Sequence, residues 1–282
     1  MPDDKIRTVG IVGLGRMGLP VARHLLAADF EVRAYDPHPQ AQAAARSLGA
    51  TLMPSCRELA ESSDAVIVLV GTQSQVEQAV FGANGLADGM CAGKILAIAS
   101  TVAPAYMASL AQRIDPLGIC VVDTPVARGE TAAEAGRLLV YAGGPVDVLG
   151  RLDRVLASIA EHVCRLGPAG AGQAAKAINN MLLWTCLTAS VEGLDLGEAL
   201  GVDREALRAA LRYGSGANWA MESRADERPA LWAEKDMAIV LQEAERLGFD
   251  APISVAANAA IKAFKISRGL PPAPPDDPDV PA

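Results

Sequence analysis

The sequence predicts an α/β protein. A doubly wound, mainly parallel sheet is expected over residues 1–167, followed by an all-α domain over 168–270 built on a long interdomain helix. Three observations carry this expectation. Strand-like and helix-like segments alternate from Ile6 to Leu166. A glycine-rich turn joins the first strand pattern directly to the first helix pattern. After Gly167-Pro168 the strand signals stop and only helical periodicity remains.

The first strand, Ile6–Val12, runs into Gly13-Leu14-Gly15-Arg16-Met17-Gly18 and then into a helical pattern, Leu19–Ala28. This strand, turn and helix order is the one a dinucleotide-phosphate fingerprint requires. Gly13 suits the tight turn, Gly15 lets a pyrophosphate approach the backbone, and Gly18 lets the helix pack on the strand. The first N–H groups of the helix and its positive dipole end then face the phosphates. The second strand, Glu31–Tyr35, ends in Asp36, which is placed to bind both ribose hydroxyls of NAD and to repel a 2′-phosphate. Pro37 and His38 follow Asp36 where an arginine would favour NADP, so NAD is the expected cofactor of this Rossmann domain.

Apolar runs at Ala65–Val70, Ile95–Ser100, Ile119–Asp123, Leu138–Ala142 and His162–Leu166 continue the strand series. Helical patterns at Gln40–Leu48, Gln75–Val80, Tyr106–Ile114 and Val146–Ile159 lie between most of them. Ligands of such sheets bind at the carboxyl ends of the strands. Candidate residues stand at three of those ends: Val70-Gly71-Thr72, Ser100-Thr101 with Pro104 after it, and Asp123-Thr124-Pro125-Val126-Ala127-Arg128-Gly129. Turn chemistry alone also accounts for the first two.

The C-terminal helices are expected at Ala169–Leu200, Arg204–Tyr213, Leu231–Leu247 and Ile253–Ser267, punctuated by Gly201-Val202-Asp203 and by Gly248 to Pro252. Residues 271–282 are Pro/Asp-rich without apolar pattern and are expected to be a disordered tail. The first of these helices is largely apolar and reads as buried, yet it opens Gly170-Ala171-Gly172-Gln173-Ala174-Ala175-Lys176-Ala177-Ile178-Asn179-Asn180. Helical spacing places Gln173, Lys176, Asn179 and Asn180 on one stripe. Burying an ammonium is costly and lowers its pKa, so an amine held among carboxamides is equipped to trade protons near neutral pH. A lysine snorkelling from a helix end beside capping amides gives the same pattern. Glu234-Lys235-Asp236 reads by itself as a solvated charge cluster at a helix start. Trp184, Trp219 and Trp232 are candidates for an apolar pocket wall, although tryptophans at helical spacing more often serve a core.

Composition narrows the function classes. The chain is 51% apolar and only 4% aromatic, which fits a helix-heavy α/β protein. A net charge of −8 without any basic stripe argues against a nucleic-acid partner. No apolar run approaches the ~18–20 residues of a membrane span. Met1 to Lys5 lacks the basic start and apolar core of a signal peptide, so a cytoplasmic location is expected. Cys56, Cys91, Cys120, Cys164 and Cys186 are odd in number and widely spaced, which suggests small buried residues. His24, His38 and His162 are scattered, and no metal site is expected.

With these motifs placed, the chain resembles the β-hydroxyacid dehydrogenases, which include 3-hydroxyisobutyrate dehydrogenase and tartronate semialdehyde reductase, over about residues 6–266. Gly13 to Gly18 resembles the family's cofactor glycines and Ser100-Thr101-Val102-Ala103-Pro104 its Ser-Thr cofactor loop. Asp123 to Gly129 resembles its substrate loop, Gly170 to Asn180 its catalytic signature, and Lys235-Asp236-Met237 its late Lys-Asp pair. The resemblance implies an NAD-dependent oxidoreductase exchanging a hydride between nicotinamide and a small anionic 3-hydroxy acid or its semialdehyde, assembled as a homodimer or homotetramer. It implies Lys176 as the general acid/base, Asn180 with Asn179 as substrate-orienting amides, and Lys235 as a lysine near nicotinamide and substrate. Leu14, Arg16, Met17, Asp36, Val70, Gly71, Thr72 and Thr101 join the glycines as cofactor residues. Ala127-Arg128-Gly129 departs from the family's usual Ser-Gly-Gly. An arginine here is similar to the variation in sulfolactaldehyde reductases, where it serves a sulfonate. Arg128, with Gly129, would then anchor a sulfonate or a second carboxylate; pairing with Glu130 or Glu134, or pointing into solvent, is the alternative. The stretch between Ala217 and Lys235 reads as shorter than is usual in the family, and the family's usual last helix is not expected in this sequence. An imine reductase on the same architecture is disfavoured by Lys176 and Asp36. A non-catalytic dinucleotide-binding protein is disfavoured by the retention of Lys176, Asn179, Asn180 and Lys235.

Overall fold

The computed structural model describes residues 5–223 and 232–271. The first part of the chain runs β1 (Thr8–Val12), α1 (Gly18–Ala27), β2 (Glu31–Tyr35), α2 (Pro39–Leu48), β3 (Thr51–Leu52), α3 (Cys56–Glu61), β4 (Ala65–Val68), α4 (Gln73–Phe81), α5 (Leu86–Gly89) and β5 (Ile95–Ile98). It continues with α6 (Pro104–Ile114), β6 (Cys120–Asp123), β7 (Val126–Ala127), α7 (Gly129–Glu134), β8 (Leu138–Gly143), α8 (Val146–Arg151), α9 (Asp153–Ile159) and β9 (Ala160–Gly167). Helices follow: α10 (Ala171–Ala199), α11 (Arg204–Leu211), α12 (Trp219–Ser223), α13 (Ala233–Leu247) and α14 (Pro252–Ser267).

Strands β3-β2-β1-β4-β5-β6 lie side by side and all parallel. β8 then turns antiparallel to β6 and β7 and pairs with β9 in parallel. Successive side chains of a strand point to opposite faces. Val9, Ile11, Ile67, Ile95 and Ala97 accordingly enter one apolar cluster, with α1, α8 and α9 residues. Val12, Val66, Val68, Leu96 and Ile98 enter the other, with residues of α3, α4 and α6. Burial on both faces explains why the central strands β4 and β5 read as continuous apolar runs, whereas β2 alternates and β9 is largely exposed. The strand order reverses between β1 and β4, and that switch point is where such sheets bind ligands.

The chain divides into two compact units, the first ending at Lys176 and the second starting at Ala177, so the division falls within α10. The second unit has a small core of Trp184, Ala233, Met237, Ala257 and Ile261, with Leu183 and Leu187 packed against it.

Several local expectations are corrected. The long helix α10 is not buried all round, because Ile178, Leu182 and Leu196 are exposed along it. Val146–Ile159 is two helices, α8 and α9, meeting at Leu152. The two-residue strands β3 and β7 and the short helices α3, α5, α7 and α12 are too brief to leave a period in the sequence. Ser55 nevertheless marks the start of α3 by accepting the Glu58 N–H, a capping signal that spacing alone could have found. Cys91 and Cys164 are exposed, whereas Cys56 is buried. Leu231 and residues 272–282 lie outside the described residues. Among the described residues no helix is long and apolar enough to cross a membrane.

Candidate active site

At the switch point, Gly13 takes φ +94°, a left-handed conformation that costs glycine little. A Cβ on Gly13 would stand 2.4 Å from the Leu69 carbonyl oxygen, and one on Gly18 would stand 1.9 Å from the Gly13 carbonyl oxygen. The turn is therefore pressed against the β4 end on one side and against its own helix on the other. No side chain caps the N-terminus of α1, which leaves that helix end open to an anion. Asp36, buried at the end of β2, accepts the Leu14 N–H at 2.8 Å and the His38 N–H at 2.9 Å. Its Oδ1 also meets the His38 ring at 2.8 Å. A carboxylate has about four acceptor positions, so three are used and a ribose hydroxyl would share with or displace the half-buried His38 ring. A left-handed glycine, an uncapped helix and a fixed acid fit a dinucleotide.

The next strand ends are sewn together by side chains. Ser100, after β5, accepts the Val70 N–H at 2.8 Å. Gln173, in the first turns of α10, accepts the Val102 N–H at 3.1 Å and donates to the Ser100 carbonyl at 2.8 Å. Thr101 is half-buried between those two grips. Asp123, at the end of β6, accepts the N–H groups of Gly170 and Gln173, both at 2.7 Å. Burial holds the Asp123 carboxyl above the usual carboxylate range, and these backbone N–H bonds offset only part of that rise. Thr72 has a local task, since its hydroxyl caps α4 in a capping box with Gln75, whose Oε1 also takes the Gly71 N–H at 2.8 Å.

Lys176 stands one turn beyond Gln173 and is only 9% exposed. Asn180 lies four residues on along the same unbroken helix and is also buried. In the second unit, Asn180 donates from Nδ2 to Asp236 Oδ2 at 2.8 Å and accepts from Asn179 Nδ2 at 3.0 Å. The indole of Trp184 donates to the same Asp236 oxygen at 3.0 Å. Lys235 has its ammonium 4.0 Å from Asp236 Oδ1 and 5.0 Å from the centroid of the Trp232 ring. The cluster at the start of α13 is therefore no solvated face: Asp236 is buried, and Glu234 bonds the buried Lys265 at 2.7 Å. Trp184 belongs to the core of its unit, and Trp219 is exposed.

Arg128 adopts φ 81° at the mouth of α7. Its guanidinium bonds the Glu161 carboxylate on β9 and lies 3.4 Å from the Arg137 carbonyl oxygen. The partners expected for it are otherwise engaged, Glu130 by Arg16 at 3.1 Å and Glu134 by Arg23 at 2.6 Å. Neither pairing was foreseeable from spacing, because β9 reaches this edge only through the parallel β8 pairing. Gly129, at φ 74°, begins α7 directly after it.

Residues 8–167 match a family model described as the NAD binding domain of 6-phosphogluconate dehydrogenase. Residues 170–270 match one described as the NAD-binding domain of NADP-dependent 3-hydroxyisobutyrate dehydrogenase. The L-threonate dehydrogenase of Cupriavidus necator is 35% identical over 262 residues, covering 89% of this chain and 88% of that one. The chain belongs to the β-hydroxyacid dehydrogenase family. The human mitochondrial 3-hydroxyisobutyrate dehydrogenase is 33% identical over 215 residues, covering 76% of this chain and 64% of that one. A solved structure of the Mycobacterium tuberculosis 3-hydroxyisobutyrate dehydrogenase with L-serine superposes with a TM-score of 0.84 at 26% identity, covering 95% and 96% of the two chains. This β-hydroxyacid dehydrogenase is accordingly an NAD(P)-dependent oxidoreductase acting on CH–OH groups.

Proposed function

We propose that the protein interconverts a small 3-hydroxy acid and its semialdehyde, with Lys176 as the general acid/base. The observation that carries this reading is a nearly buried lysine on the helical stripe of Gln173 and Asn180. The relatives named for 3-hydroxyisobutyrate and L-threonate support the substrate class. Bound NAD supplies the hydride acceptor for oxidation, held by Gly13, Leu14, Gly15, Arg16, Met17 and Gly18 at the phosphates, by Asp36 at the ribose, and by the Val70-Gly71-Thr72 and Thr101 loops. In oxidation the neutral amine of Lys176 takes the hydroxyl proton, and in reduction its ammonium returns one to the carbonyl oxygen. Asn180 can orient a substrate oxygen because Asp236 and Asn179 fix both ends of its carboxamide. Lys235 and the backbone N–H groups of Arg128 and Gly129 would anchor the carboxylate. In this reading the Arg128 guanidinium serves as a strut for the loop through Glu161, which argues against a sulfonate or second carboxylate in its grasp.

The test is coupled oxidation of a panel spanning 3-hydroxyisobutyrate, glycerate, threonate, hydroxydicarboxylates and dihydroxypropanesulfonate, repeated with the Arg128→Gly variant. Glycine accepts a left-handed backbone, sparing ~1 kcal/mol, which roughly matches the ~0–1 kcal/mol of the exposed ion pair it removes. The 3-hydroxy monocarboxylates should turn over, and the variant should stay folded and keep the same ranking. A loss confined to the sulfonate or the dicarboxylates would reassign Arg128 to the substrate. Silence across the panel would remove the hydroxy-acid reading. NADH should be preferred to NADPH, since the fixed Asp36 carboxylate repels a 2′-phosphate.

We also infer a homodimer or homotetramer. Leu196, Leu200, Phe249 and Ile266 of the second unit are all exposed, and large apolar side chains left in water suit an association surface. Sedimentation equilibrium at micromolar concentration should give a multiple of the 29.2 kDa chain mass; a single-chain mass would contradict it.

A further inference from the structure

We propose that Gln173 is a positioning residue that registers the Thr101 cofactor loop against Lys176. The proposal rests on the reading of Lys176 as the proton carrier. Gln173 is fully buried at 0% exposure and shares a helix face with Lys176, three residues on. Its side chain does nothing for the helix that carries it. Oε1 accepts the Val102 N–H at 3.1 Å and Nε2 donates to the Ser100 carbonyl at 2.8 Å, so one carboxamide grips the backbone on both sides of Thr101. One partner is a donor and the other an acceptor, and only one orientation of the amide satisfies both. The Gln173 backbone N–H is meanwhile held by Asp123 Oδ2 at 2.7 Å, which fixes the helix turn to the end of β6. Ser100 extends the bracket to β4 by accepting the Val70 N–H.

A methionine would fill the same space without the desolvation penalty that a buried carboxamide carries. What the amide adds is register. The loop and the lysine helix cannot slide past one another without breaking two bonds that have no water to replace them. Rates are sensitive to such a slide, since a displacement of ~1 Å remote from the chemistry can cost on the order of 10²-fold.

Two variants test this. Gln173→Met keeps length and volume and loses both bonds. Gln173→Glu sets a second oxygen against the Ser100 carbonyl while it is ionised. Burial favours its neutral form, whose O–H can donate to that carbonyl and rebuild the bracket. Turnover, NADH affinity by fluorescence, and amide hydrogen exchange of residues 100–104 in the protein without cofactor would be measured. Gln173→Met should lower kcat by ~10- to 100-fold with KM for the hydroxy acid little changed. The Val102 amide should lose its protection. Carbonyl reduction by Gln173→Glu should recover toward the wild-type rate as pH falls, while Gln173→Met should not. On a Lys176→Ala background, Gln173→Met should have little further effect. Wild-type kcat in Gln173→Met, unchanged Val102 protection, absence of acid recovery in Gln173→Glu, or an equal proportional loss without Lys176 would each overturn the proposal. So would failure of both variants to fold, which would make Gln173 part of the frame alone. An inactive Lys176→Ala beside a fully active Gln173→Met would remove Gln173 and leave the lysine reading intact. A fully active Lys176→Ala would remove the lysine reading itself.

Discussion

Lys176→Ala is expected to lower kcat at least ~100-fold while NADH still binds, because positioned acid–base catalysis contributes roughly 10²–10⁴-fold. The residues proposed to hold the cofactor lie at the β1, β2, β4 and β5 ends, where Leu14, Val70 and Val102 donate their N–H groups to Asp36, Ser100 and Gln173. Lys176→Arg separates charge from proton transfer. A guanidinium keeps the positive charge but cannot be deprotonated in proteins, so it cannot serve as a base. The arginine variant should therefore be about as inactive in oxidation as the alanine variant. Substantial oxidation by Lys176→Arg would show that the cation, and not its proton, is what the site needs. Rapid steady-state assays with a fluorescence titration of NADH would decide the matter.

The second large effect is expected from Gly18→Ala. The added methyl would stand 1.9 Å from the Gly13 carbonyl oxygen, and neither group can swing aside because the oxygen belongs to the backbone. Gly13 cannot yield either, being pressed against the Leu69 carbonyl on its other side. The N-terminus of α1 must then lift off the strand end, which removes the very N–H groups that would face the phosphates. Overpacking of this kind costs typically 1–3 kcal/mol. Expressed in cofactor binding, that is about 10- to 100-fold in Kd. A fluorescence titration and a thermal melt should show both weaker NADH binding and a lower Tm. Gly150→Ala serves as the control, since a Cβ there meets nothing within 4 Å and both quantities should hold. A Gly18→Ala protein that binds NADH normally would mean that the turn is looser than its contacts indicate.

The Rossmann half was legible in the sequence because a two-sided sheet writes itself plainly. The central strands β4 and β5 are unbroken apolar runs, and the glycine turn sits where β1 ends. The lysine stripe was legible for a different reason: four polar residues at helical spacing stand out in an apolar segment. Asp236 was not legible, because an acid between a lysine and a methionine at a helix start looks solvated until its tertiary partners Asn180 and Trp184 are known. The role of Arg128 was hidden by the sheet edge. Spacing offered Glu130 and Glu134, but strand pairing delivers Glu161. Gln173 was visible as a member of the stripe, while its bonds to Ser100 and Val102 cross over 70 residues of chain and could not be read from any local pattern.

The central claim is that the Lys176 amine exchanges a proton with the substrate hydroxyl. A crystal structure of the ternary complex with NAD and an unreactive hydroxy-acid analogue tests it most directly. The account predicts the Lys176 nitrogen within about 2.6–3.2 Å of the analogue's hydroxyl oxygen, or linked to it through one water. A lysine nitrogen in bulk solvent, or out of reach of that oxygen with another titratable group in its place, would contradict the account.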